Sequence, residues 1–193
     1  MKTDEELFLS GGDTAMTELV GRYERPLFRF LLHLTHDPQL AEDVFQESFL
    51  RLHRARATYR PDQALKPYLY RIALNALRDQ RSKRRPSVSI DQTSDSKRSI
   101  ALRSPGPRPE DESERSETQR QIRAALLGLP EAEREVVVLR VFEDLSFAEI
   151  ARIADIPIPT AKSRMLYALR RMKPELERYL SGASNISAKD IAL

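Results

Sequence analysis

Residues 146–165, SFAEIARIADIPIPTAKSRM, read as two helices joined by a turn that the sequence itself forces. Ser146 and Glu149 form a capping box, in which hydroxyl and carboxylate each take an amide hydrogen that a helix start leaves unpaired. Phe147, Ile150, Ala151 and Ala154 then recur at helical spacing, with small Ala151 where crossing helices must approach. Asp155 ends the run, because Asp tolerates left-handed backbone better than most residues. Pro157 and Pro159 hold Ile156 and Ile158 extended, and Pro159 suits the first position of the next helix.

In that next helix Ala161, Met165, Leu169, Met172 and Leu176 recur every three or four residues and are expected to face a core. The opposite stripe is Thr160, Ser163, Arg164, Tyr167 and Arg171, with Lys162 beside it. Hydroxyls, a guanidinium and an ammonium near a helix N-terminus suit phosphates and base edges in a DNA major groove, so the pair reads as a helix-turn-helix. An ordinary helical hairpin with a solvated face would carry the same pattern.

Upstream, residues 87–116, SVSIDQTSDSKRSIALRSPGPRPEDESERS, are rich in Ser, Pro, Asp and Arg and nearly lack large apolar side chains. Such a segment buries too little surface to offset its ordering entropy and reads as a flexible linker. As a coil of ~30 residues it spans about 30 Å, and fully extended roughly 100 Å. The bodies on either side are expected at 13–86 and 117–180, with a tail at 181–193. Both are helical, strand-like alternation is scarce, and the fold class is all-α.

Helices are expected near 13–35, 38–57 and 65–84, the second started by the Asp37 cap and Pro38. Its inner stripe reads as Leu40, Val44, Phe45, Phe49 and Leu52, leaving Glu42, Asp43, Gln46, Glu47 and Arg51 outward. The third buries Leu69, Ile72, Ala73 and Ala76 and shows Tyr68, Arg71, Asn75, Arg78 and Arg85 on another side. Aromatic rings interleaved with Arg are what single-stranded nucleic acid binders use, although Tyr68 and Tyr70 as half-buried core aromatics would also explain the pattern. After the linker, 117–128 and 130–143 read as a helix pair around Ile122, Leu126, Val137 and Val138.

Composition bounds the remaining possibilities. Lys and Arg number 32 against 29 Asp and Glu, so the bias is weak overall and its clustering, as in RSKRR at 81–85, matters more. The chain has no Cys, hence no disulfide framework or thiolate metal site. The acidic N-terminus does not resemble a secretion signal, and no stretch approaches the ~20 apolar residues of a membrane span, so a cytoplasmic protein without membrane insertion is expected. His33, His36, Glu42, Asp43 and Glu47 are close in sequence but lack the Glu-x-x-His spacing of helix-borne metal sites. No metal, cofactor or catalytic group is expected.

The order AEDVFQESFLRLHRA (41–55), PYLYRIALNALRD (67–79), a variable linker and GLPEAEREVVVLRVFEDLSFAEIARIADIPIPTAKSRM (128–165) strongly resembles the extracytoplasmic-function (ECF) group of bacterial sigma factors. The resemblance covers about 13–180 and implies a non-enzymatic subunit that gives RNA polymerase its promoter specificity. It implies that 13–86 is the family's region two, a three-to-four-helix bundle, and 117–180 its region four. Asp43, Gln46, Glu47 and Arg51 then match the face that docks on the clamp helices of the largest polymerase subunit. The loop at 57–66, with Tyr59, matches the segment that captures a flipped base. Tyr68, Arg71, Asn75, Arg78 and Asp79 lie on the minus-ten helix. Thr160, Lys162, Ser163, Arg164, Tyr167 and Arg171 lie on the minus-thirty-five recognition helix.

Implied partners are core polymerase, through clamp helices and flap, promoter DNA, and an anti-sigma factor. Tyr68 stands where the family commonly has Trp, Leu74 where a basic residue is frequent, and Asp155, Pro159 and Ala161 replace the usual Gly, Gly and Val. The two promoter elements lie about 25 base pairs apart, roughly 85 Å at ~3.4 Å per pair, a span that an extended linker can cover. A DNA-binding regulator that never docks on polymerase is the competing reading, and it leaves the face of Asp43, Gln46 and Glu47 without a purpose.

Overall fold

The computed structural model describes residues 2–60, 63–84 and 120–182, and no strand occurs among them. The expected linker at 87–116 lies outside the described residues, as do Arg85, residues 183–193 of the tail and the side chain of Leu176. The first helix, α1 (Asp4–Ser10), was not anticipated from the sequence. Thr3 and Glu6 make a complete capping box ahead of it, and Leu7 and Phe8 are buried. Next come α2 (Asp13–Thr35), α3 (Pro38–Ala55), a 3-10 turn (Arg56–Thr58) and α4 (Leu65–Arg84). The C-terminal half holds α5 over 120–127, α6 (Glu131–Val137), a π-helical turn (Val138–Phe142), α7 (Phe147–Ala154) and α8 (Ile158–Gly182).

Asp37 caps α3 by accepting from the amides of Gln39 (3.0 Å) and Leu40 (3.2 Å). The inner row of that helix is Leu40, Ala41, Val44, Ser48 and Leu52. Small Ala41 and Ser48 let its neighbours approach, and the Ser48 hydroxyl is satisfied by donating to the Val44 carbonyl at 2.6 Å. That close approach moves Phe45 and Phe49, expected in the inner row, to its shoulder, where they are half-buried with ring centroids 5.0 Å apart. A similar shift occurs in α8. Ala161, Ala168 and Met172 are buried while Leu169, expected in the core, is 47% exposed. The alanines form the contact row because α6 and α7 both pack on this helix.

α4 carries two buried stripes. Leu69, Ala73 and Ala76 lie on one, and Tyr70, Leu74 and Leu77 on another roughly 100° away. The second is bounded by Lys66, Arg78 and Arg81 and meets the C-terminal half, with α4 packed against α7. Both halves share one continuous apolar cluster, so the two expected bodies are docked together. Fully burying a Leu contributes about 1.5–3 kcal/mol, whereas an exposed ion pair contributes about 0–1 kcal/mol and a buried one returns little net because desolvation offsets its Coulombic gain. Apolar contact therefore supplies most of the seam's stability, and its polar pairs fix the register.

At one end of the seam, backbone carbonyls at the C-terminus of α2 accept from guanidinium groups. The Leu34 carbonyl takes Arg81 (2.8 Å) and Arg134 (3.2 Å), and the His36 carbonyl takes Arg123 (2.9 Å). These cations complement carbonyls that a helix end leaves unpaired. His36 itself is left-handed, with φ 54°, and its Nε2 is buried without a hydrogen-bond partner. Burial first, then the charges of Arg134, Arg123, His33 and Arg81, lowers its pKa from 6.5 to about 4. The folded state thus keeps this imidazole neutral. Its stabilising contribution is complete above 6.5 and is lost progressively as pH falls towards 4. Asn tolerates left-handed backbone and does not titrate. His36→Asn should therefore show a shallower loss of urea midpoint between pH 6.5 and pH 4 than the wild-type chain. Equal slopes would contradict this assignment.

Candidate nucleic-acid interface

The helix-turn-helix forms from the residues that specify it. Ser146 Oγ accepts from the Glu149 amide (3.3 Å), while Glu149 Oε2 accepts from the Ser146 amide (2.8 Å) and hydroxyl (2.6 Å). Those hydrogen bonds hold the Glu149 carboxyl below its ordinary pKa. Asp155 adopts the left-handed conformation at φ 57°, and its amide closes α7 on the Ala151 carbonyl. Ile156 donates to the same carbonyl at 3.0 Å. α8 then starts at Ile158, one residue before the expected Pro159.

On α8, Lys162, Tyr167 and Arg171 are exposed, and Thr160, Ser163 and Arg164 are partly so. Lys162 and Arg164 have no ion-pair partner among the described residues. Ser163 donates to the Thr160 carbonyl at 3.0 Å, which leaves its oxygen to accept. Arg171 Nε sits 3.2 Å from Glu133 Oε2, so this cation is partly neutralised by α6. A second exposed flank of the same helix, missed at the sequence level, carries Ile158, Leu166 and Leu169.

On α4, Tyr68, Arg71, Asn75 and Asp79 share one stripe at spacings of three and four residues. The Arg71 guanidinium lies 5.2 Å from the Tyr68 ring centroid, Asn75 is exposed, and Tyr68 is half-buried. A cation over a ring beside an amide is a surface on which a base can stack while a phosphate is neutralised. Tyr59 departs from its expected availability. It is 7% exposed, edge-on to Phe8 at 5.1 Å and 5.1 Å from Tyr68, and its hydroxyl donates to the Gln63 carbonyl. α1 covers it, so in this conformation its ring supports Tyr68 rather than meeting solvent. Arg78 also departs, because it turns away from the stripe into the seam. Residues 61 and 62 of the expected capture loop lie outside the described residues.

The outward side of α3 is continuous with that stripe. Gln46 is exposed and donates to Glu42 at 2.9 Å, and Asp43 accepts from Gln39 at 3.3 Å. Arg51 bridges the two helices, 2.7 Å from Glu47 on α3 and 2.7 Å from Asp79 on α4. The guanidinium hydrogen bond holds the Glu47 carboxyl below its usual range. Arg51 and Asp79, expected to serve different partners, are thus partners of each other. Leu50 projects 52% exposed from the arc that Asp43, Gln46 and Glu47 define on this helix. Its apolar character conceals it from a search for polar contact residues.

The seam contributes contacts that sequence reasoning did not find. Arg78 chelates Glu135 through Nη2 (2.7 Å) and Nε (3.3 Å), and also donates to the Ala154 carbonyl at 3.4 Å. Tyr70 donates to Glu143 at 2.5 Å, and burial beside that carboxylate pushes the phenol pKa well up, keeping it a donor. Lys66 donates to the Glu143 carbonyl at 2.9 Å, and Arg81 pairs with Glu131. Among the described residues, no group of three or more His, Asp or Glu side chains is placed to hold a metal ion. The His33 ring instead lies 4.2 Å from Phe142. No described helix is long and apolar enough to cross a membrane.

Two family models match this chain, Sigma-70 region 2 over residues 19–86 and Sigma-70 region 4 over 119–172. A curated relative, the RNA polymerase sigma-H factor of Pseudomonas aeruginosa, is 31% identical over 178 residues, spanning 90% of this chain and 92% of the relative. The ECF RNA polymerase sigma factor SigW of Bacillus subtilis is 27% identical, over 86% of this chain and 91% of its own length. Among solved structures, CnrH in complex with the cytosolic domain of CnrY aligns with a TM-score of 0.67. That alignment covers 92% of this chain and 99% of the other at 23% identity, and it establishes likeness of fold.

Proposed function

The chain belongs to the ECF group of RNA polymerase sigma factors, and from that membership we propose how its described surfaces divide the work of promoter-specific transcription initiation. Core polymerase docks on the outward side of α3, through Asp43, Gln46 and Glu47 with Leu50 among them. Arg51 acts there as the strut that fixes α3 against α4. The stripe of Tyr68, Arg71, Asn75 and Asp79 meets the minus-ten element. Thr160, Lys162, Ser163, Arg164, Tyr167 and Arg171 meet the minus-thirty-five element in the major groove. The polymerase makes the RNA, and this chain binds and remodels DNA without bond chemistry of its own, in the cytoplasm where the polymerase works.

One observation carries the reading. Two separate helices, α4 with two buried stripes and α8 with one, each also turn a stripe of polar and basic side chains with an aromatic ring towards solvent. One such surface suits any DNA-binding regulator. Two, in a chain that also has a polar docking arc on α3, suit a subunit that positions polymerase over two promoter elements. An anti-sigma factor remains a partner class that the family membership supplies, and we assign it no residues.

Asp43, Gln46 and Glu47 are not in the buried core, so replacing all three by Ala should abolish retention on core polymerase while circular dichroism stays unchanged. A folded triple variant that is retained as well as wild type would place docking elsewhere. Arg164→Ala should lose about 1–3 kcal/mol of promoter affinity and relax preference at one base position. Lys162→Ala should weaken all sequences alike and lower the salt slope by about one. Identical effects of both changes at every base would contradict this division.

A further inference from the structure

The first amides of a helix have no intrahelical acceptor, and the residue ahead of α4 is Ala64, whose methyl group cannot cap it. Glu5 does so from 60 residues away, its Oε1 accepting from the Leu65 amide at 2.8 Å. A carboxylate there also suits the positive end of the helix dipole. α1, which carries Glu5, holds the α3–α4 connection at two further points. Phe8, 1% exposed, sets its ring edge against Tyr59, and Tyr59 lies against Tyr68, so three rings run from the core to the outward stripe. At Gly11, where φ is 64°, a Cβ would stand 2.6 Å from the Arg56 guanidinium, so Gly lets the chain leave α1 against the 3-10 turn. Asp4 fixes α1 in its turn, accepting from Arg22 at 2.5 Å and from the Tyr23 hydroxyl.

We propose that α1 is a positioning element for the minus-ten surface, with Glu5 and Phe8 as the residues that set where the Tyr68 ring stands. The proposal rests on the α4 stripe being that surface. α1 lies outside the residues 19–86 matched to Sigma-70 region 2, and it acts through Leu65 and Tyr59 rather than through DNA contacts of its own. A base that stacks on Tyr68 gains most when the ring is already fixed, because ordering a side chain at the moment of binding costs affinity. Two constraints fix it. The Glu5–Leu65 hydrogen bond holds the first turn of α4, and Leu65 lies three residues before Tyr68 on the same side of the helix. The edge of Phe8 backs Tyr59, which closes the space behind the Tyr68 ring. The Leu65 side chain is itself fully buried, so loss of the hydrogen bond loosens this turn without detaching it.

The chain has no Trp, so Tyr68→Trp gives the full-length protein a single indole at this site. Acrylamide quenching of that indole reports how closely the ring is backed, and its quenching by a single strand of about 20 mixed nucleotides reports stacking. In this parent, Glu5→Ala should roughly double acrylamide quenching and weaken strand binding about fivefold, the low end of what one stacked base is worth. Glu5→Gln, whose side-chain oxygen still accepts from the Leu65 amide, should stay close to the parent on both. An α1 that only adds stability would lower the melting temperature of Glu5→Ala and leave both signals of the folded protein unchanged, and that result would overturn the proposal. Equal losses in Glu5→Ala and Glu5→Gln would overturn it too. If Glu5→Ala does not fold, Phe8→Leu keeps an apolar side chain in the core and removes the ring edge from Tyr59. It should raise acrylamide quenching and weaken strand binding in the same direction, and unchanged signals there would again overturn the proposal. Absence of any strand response in the parent would count against α4 as the minus-ten helix, while the acrylamide measurement still decides whether α1 positions the ring.

Discussion

Glu135 is almost wholly withdrawn from water, and a carboxylate in that position needs a cation with good geometry beside it. Arg78 supplies it, reaching across from α4 with two of its nitrogens. Much else follows from this pair. It sets the register in which α4 lies on α7, aligns Tyr70 with Glu143 and Arg81 with Glu131, and brings Arg134 to the same Leu34 carbonyl that Arg81 occupies. Without it the apolar stripe of Tyr70, Leu74 and Leu77 would still favour contact, but hydrophobic attraction is non-directional and would not select one alignment.

α4 is consequently the helix that each level of organisation uses. One stripe builds the core of its own half, a second meets the C-terminal half, and a third holds Tyr68, Arg71, Asn75 and Asp79. Arg51 ties that third stripe to the outward side of α3, pairing with both Asp79 and Glu47. A position on α4 therefore belongs to the core of its own half, the seam or the outward stripe according to its place in the 3.6-residue repeat, and neighbours in sequence serve different ends.

The start of α3 and both ends of α7 were legible because each has a chemical signal: Asp37-Pro38, the Ser146–Glu149 box, and Asp155 in left-handed backbone. α1 was legible in principle from Thr3 and Glu6, but a seven-residue acidic helix is marginal alone and forms because Leu7 and Phe8 find a core. Core rows were misread where small residues win the contact position, as at Ala168 over Leu169 and Ser48 over Phe49. Periodicity favours the larger side chain, whereas close helix packing favours the smaller. The seam was hidden for a different reason. Its pairs join residues 50 to 77 apart, and nothing local to Arg78 distinguishes a DNA contact from an ion pair with Glu135. Leu74 and Leu77, apolar residues off the row of Leu69, Ala73 and Ala76, were the signal available, since fully buried Leu side chains there mark a helix covered on a second side.

We propose that α4 opens promoter DNA, the step that separates a sigma factor from other DNA-binding proteins. Unstacking duplex costs a few kcal/mol per step, and on the proposed division of surfaces the chain recovers it only through contacts made with the open strand at Tyr68, Arg71 and Asn75. The most direct measurement is permanganate reactivity of minus-ten thymines in holoenzyme carrying Tyr68→Ala and Asn75→Ala. That holoenzyme should dock close to wild type, show sharply reduced reactivity on duplex promoter, and recover part of its transcription on a template with a pre-melted bubble. Normal reactivity on duplex, or no advantage from the bubble, would contradict it.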